Sequence, residues 1–77
     1  MTNINKIQKD YNEAIKFYNM QQPLTSTEKL EIEQIVYYSD DLNEKVLPFV
    51  KANQNNLSKM AYLNVMICQS YLDEANL

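Results

Sequence analysis

Apolar residues recur along this chain at the three- and four-residue steps of a helix, punctuated by two prolines and a run of asparagines. Ile4, Ile7, Tyr11, Ala14 and Tyr18 form the first stripe, with Ile15 widening it and Lys6, Lys9, Asp10, Glu13 and Lys16 outside it. The pattern predicts a helix over about 4–21. It should stop there because Gln22 precedes Pro23 and is biased toward extended backbone. "TSTE", residues 25–28, has the form of a capping box, in which Thr25 and Glu28 each accept from the other's amide. A second helix is expected from about 26 to 47. Its stripe is Ile32, Ile35, Leu42, Val46 and Phe49, with Ser39 at one stripe position and Val36 and Leu47 flanking. Pro48 lacks an amide proton and crowds the preceding turn, so the helix should end or kink there.

"KANQNN", residues 51–56, reads as a polar connection. Asparagine tolerates left-handed backbone better than most residues, so it is expected to do there what glycine does elsewhere. Asn55 or Asn56 would cap a third helix over about 57–75. That helix contains "MAYLNVMIC", residues 60–68, in which Asn64 is the one polar residue. A helix apolar on nearly every side must be buried on nearly every side. Two neighbouring helices supply one stripe each, which would leave a strip near Tyr62, Val65 and Met66 uncovered. A second copy of the chain would close it. Failing that, Phe49 and Val50 could fold back over it. The expected architecture is therefore all-α: one domain over 1–77, a small three-helix antiparallel bundle, its middle helix ending or kinked near Pro48.

Seventy-seven residues bury little core, and such domains lean on disulfides, metals or oligomerisation. One cysteine forms no internal disulfide, and a chain with no histidine and a single cysteine offers no zinc-binding set. Self-association is the device left, most simply as a dimer. A net charge of −3 gives no basic footprint for nucleic acid. No apolar run approaches the roughly 20 residues that cross a bilayer, and no signal-peptide core follows Lys6. A soluble, cytoplasmic protein is expected. Chemistry is scarce too. Without histidine there is no Ser–His or Cys–His pair, Cys68 lies in an apolar run, and the absence of glycine removes phosphate-cradling loops. No enzyme activity and no cofactor are expected.

Charge and tyrosine mark the middle of the chain instead. Residues 23–50 carry Glu28, Glu31, Glu33, Asp40, Asp41 and Glu44 against Lys29 and Lys45. Glu33, Asp40, Asp41 and Glu44 would line an acidic ridge that steers a basic partner, although a charge run is more often a solvated face. Of six tyrosines, Tyr11, Tyr18 and Tyr71 fall on stripes, while Tyr37, Tyr38 and Tyr62 fall off them. Tyrosine is favoured in interfaces, so Tyr37 and Tyr38 join the acids as candidate contact residues. There is also a weak internal echo, with Lys29–Leu47 lying over Lys59–Leu77 at an offset of thirty.

Two stretches resemble known families. "YNEAIKFYN", residues 11–19, resembles the second helix of a tetratricopeptide repeat, and "AYLNVMICQSYL", 61–72, the first, but the chain holds no complete repeat of about 34 residues. "SDDLN", residues 39–43, is similar to the S-Q-E-L-D signature of the small aspartyl-phosphate phosphatases that act on sporulation response regulators. That resemblance implies a helical hairpin presenting Ser39, Asp40, Asp41 and Asn43 to an aspartyl-phosphate, with Asn43 standing where the family has aspartate.

The expected function is that of a small non-enzymatic interaction protein. It would inhibit or adapt a larger protein, in the manner of phage or mobile-element accessory proteins, through Glu33, Tyr37, Tyr38, Asp40, Asp41 and Glu44. The alternatives are a phosphatase-like regulator of a response regulator and an oligomer that binds a small ligand such as a nucleotide between subunits.

Overall fold

The computed structural model describes residues 4–38 and 42–75. It contains four helices: α1 (Ile4–Asn19), α2 (Ser26–Tyr37), α3 (Leu42–Asn53) and α4 (Leu57–Ala75). The all-helical reading holds, but the architecture has four helices where three were expected.

The end of α1 and the start of α2 follow the local rules, although α1 stops at Asn19, two residues short of the expected end. α1 closes with amides of Met20 and Gln21 donating to the carbonyls of Phe17 and Tyr18, and the chain turns out before Pro23. The capping box is formed as expected. The Glu28 amide donates to Thr25 Oγ1 at 3.2 Å, and the Thr25 amide to Glu28 Oε1 at 2.9 Å. At the start of α4, Asn56 Oδ1 accepts from the Lys59 amide at 3.1 Å. No described residue has positive φ, so the asparagine turn needs no left-handed residue. Its asparagines work through their side chains instead, Asn53 taking a bond from Lys59 Nζ at 3.3 Å.

The expected second helix is corrected twice. It does not run from 26 to 47, because α2 ends at Tyr37, with Tyr38 as C-cap donating its amide to Gln34 O. Nor does Pro48 end a helix. It lies inside α3, which continues to Asn53 and takes in the first part of the stretch read as a loop. A proline in a helix forfeits one amide bond and strains one turn, and burial beyond it offsets that cost. Phe49 is buried, and Val46 and Val50 pack half-buried against the same cluster. The interruption also removes the internal echo as structure, since 29–47 spans two helices and 59–75 lies in one.

α4 is the central element. α1 packs closely along it on one side, and α2 and α3 meet it on another. Ala14 on α1 and Ala61 on α4 are both buried outside the core cluster, and small side chains of this kind let two helix backbones come near. On the second side, Leu24, Ile32, Val36, Phe49, Tyr62 and Leu63 form the core cluster, with Ile32 fully buried. Tyr62 and Val65, expected on an uncovered strip, are buried within the single chain, and Met66 is half-buried against the cluster. The expectation of a bare strip is thus corrected: Val65 is buried within one chain, and Tyr62 and Met66 pack in the cluster that also holds Phe49 and Val50 of the fourth helix.

Candidate docking surface

The tyrosines divide into two groups. Tyr62 on α4 reaches α2 and donates to Glu33 Oε1 at 2.7 Å. Its ring lies 5.2 Å from that of Tyr18, tilted by 53°, and Tyr18 Oη accepts from the Leu24 amide at 3.4 Å. Tyr37 at the end of α2 donates to Asp73 Oδ2 on α4 at 3.3 Å, and Gln69 Nε2 holds the other oxygen of Asp73 at 2.9 Å. Burial, then the Asp73 charge and hydrogen bond, push the Tyr37 hydroxyl up to about 12. The same causes, burial first and then Glu33, raise Tyr62 further. These hydroxyls are donors locked to carboxylates, and they tie α2 to α4.

This changes the expected contact set. Glu33 and Tyr37 spend their polar atoms on partners within the chain, although the Tyr37 ring stays exposed. Tyr38 is the reverse case, 83% exposed. Glu44, in the first turn of α3, is exposed as well. Asp40 and Asp41 lie outside the described residues, as does Ser39. The acidic ridge has no single helix to run along, because Glu33 belongs to α2 and Glu44 to α3. The stretch likened to the phosphatase signature falls in the same place: α2 ends before it, and of its residues only Leu42 and Asn43 lie in a described helix.

Beside Tyr38 the structure opens a groove between α2 and α3 of about 670 Å³, lined by Leu30, Glu31, Gln34, Ile35, Tyr38 and Lys45. Leu30 is 53% exposed and Ile35 half-buried. Sequence reasoning placed none of Leu30, Gln34, Ile35 or Lys45 in a site. Leu30 and Tyr38 do fall eight residues apart, two helical turns on one face off the main stripe, and that was the readable signal. Exposed apolar side chains in a continuous groove mark contact surfaces more often than scattered ones do.

The remaining chemistry is quiet. Cys68 is half-buried beside Asp10, Glu13 and Phe17, and burial followed by the Asp10 charge raises its thiol above the usual value, away from nucleophilic thiolate. Among the described residues no group of three acidic, cysteine or histidine side chains is placed to hold a metal, and no helix is long and apolar enough to cross a membrane. The chain matches no protein-family model, no curated protein and no solved structure.

Proposed function

We propose that this chain is a small non-enzymatic interaction protein that inhibits or adapts a larger protein. It docks through the corner where α2 gives way to α3. The observation that carries the reading is Tyr38: a large aromatic side chain 83% exposed at a helix C-cap, with exposed Glu44 beyond it in sequence and an open groove beside it. A tyrosine supplies wide contact area with few rotatable bonds, so little conformational freedom is lost when it is covered. The acids of the 38–44 stretch favour a partner with a basic surface, whose approach they would accelerate at low salt.

The test is affinity capture from the source cell with the wild-type chain and with the double variant Tyr38→Ala, Glu44→Lys. Both positions are exposed, so helicity by circular dichroism should be unchanged. A protein retained by the wild type and lost by the variant supports the reading, and its association should slow as salt rises. Identical capture by both chains overturns it.

A further inference from the structure

We propose that the groove between α2 and α3 is closed by a second copy of this chain. The two α2 helices would pack antiparallel about a twofold axis near Gln34.

The groove's α2 wall is built from Leu30, Glu31, Gln34, Ile35 and Tyr38, which are one face of one helix. Leu30 and Tyr38 stand four residues on either side of Gln34. An antiparallel twofold centred there lays each exposed Leu30 on the other copy's Tyr38 and brings the two Gln34 amides together. A primary amide both donates and accepts, so it satisfies its own image.

Charge selects this occupant over others. Glu31 lines the α2 side of the groove and Lys45 the α3 side, and neither ion-pairs with another described residue. A uniformly basic segment laid in the groove would meet Glu31 but be repelled by Lys45, and an acidic segment the reverse. A second copy turned by a twofold meets an opposite charge at both places, Glu31 to Lys45 and Lys45 to Glu31. Self-complementarity of this kind defines an isologous interface. One consequence rests on the docking reading above: the dimer covers Tyr38, so a larger partner would compete with the second copy and bind the monomer.

Charge exchange tests the pairing on the purified protein. Sedimentation at micromolar concentration should show a dimer for the wild type. Glu31→Lys alone replaces two attractions per dimer by two repulsions, as does Lys45→Glu alone, and each should weaken dimerisation by about tenfold. An equimolar mixture of the two variants restores opposite charges at both contacts and should re-form the dimer as a heterodimer. Both positions are exposed, so the variants should keep wild-type helicity. A monomeric wild type, single variants that dimerise as well as the wild type, or a mixture that stays dissociated would each overturn the proposal. The capture experiment counts only proteins other than this chain, so the gain or loss of a dimer does not decide it and the two readings fail separately.

Discussion

Tyr62 on α4 and Glu33 on α2 are joined by a 2.7 Å hydrogen bond from a buried phenol to a half-buried carboxylate. Bonds to a charged group are the stronger kind, but Glu33 can turn to water when its donor is lost. Tyr62→Phe is therefore expected to cost about 1.5–2 kcal/mol, the lower part of the range for such bonds. For a domain of this size each kcal/mol lowers Tm by about 4–8 °C. A thermal melt unchanged by the substitution would mean that water replaces the bond at no cost.

The tyrosine–carboxylate bonds also set an alkaline limit. Tyr37 ionises at about 12 in the fold, against an ordinary 10, and Tyr62 is raised as well. The folded pKa is the higher one, so the stabilisation is fully present below pH 10. It is lost as pH rises from there through the folded values, because the unfolded chain gives up these protons first. Tyrosinate absorbance should show Tyr37 and Tyr62 titrating late, as the part of the signal that their phenylalanine variants lose, and Tm should fall above pH 10. In the double variant Tyr37→Phe, Tyr62→Phe that fall should be shallower. A late-titrating signal that the double variant leaves undiminished would contradict the geometry.

The capping box gives an acid-side counterpart. Thr25→Ala removes the acceptor for the Glu28 amide and should cost about 1 kcal/mol. The Thr25 amide hydrogen bond, then its hydroxyl, hold the Glu28 carboxyl below its ordinary value. A lowered pKa contributes stability that is present above about pH 4.5 and lost as pH falls through the folded value. Between those two values the wild type should lose part of its advantage over Glu28→Gln, read as converging Tm.

What could be read from the sequence was whatever rested on a local device. Thr25 with Glu28, Gln22 before Pro23 and Asn56 before Leu57 each announce a helix end through a bond or clash within a few residues. The end of α1 to within about two residues, the start of α2 and the start of α4 follow from them. The join between α2 and α3 escaped because the stripe Ile32, Ile35, Ser39, Leu42, Val46, Phe49 keeps helical phase straight through it. Pro48, the stronger helix breaker by chemistry, points to a break ten residues too late. The competing signal was there in Asp41-Leu-Asn-Glu44, a D-x-x-E helix start after residues of poor helix propensity. The docking corner was only partly legible for a related reason. Adjacent residues on a helix point about 100° apart, so Tyr37 turns to Asp73 while Tyr38 turns to solvent, and composition alone treats them as a pair.

Met66 separates the two accounts of α4. On a bare strip, Met66→Lys would release a dimer. In the structure Met66 packs half-buried against the core cluster, so a lysine there loses apolar contact and lifts its ammonium toward water. The expected result is a loss of about 1–3 kcal/mol in stability with no change in sedimentation at temperatures where the chain stays folded. Dissociation without destabilisation would restore the bare strip.

Phe49 is the residue on which α3 depends. It is buried in the core cluster, between half-buried Val46 and Val50, while Leu47 on the other face is 57% exposed. α3 makes few close approaches to α2 and α4 compared with those along α1 and α4. Its helix also carries Pro48 and so lacks one of its own backbone bonds. Truncating a buried phenylalanine costs about 3–5 kcal/mol when the site cannot collapse, and a helix this lightly held should answer by opening before the rest. In Phe49→Ala, amide exchange across 42–53 should accelerate well beyond that of α1 and α4, whose buried Ala14 and Ala61 lie outside the Phe49 cluster. Exchange that speeds up equally in all four helices would mean that α3 unfolds only with the whole domain, and that its docking is part of the central core.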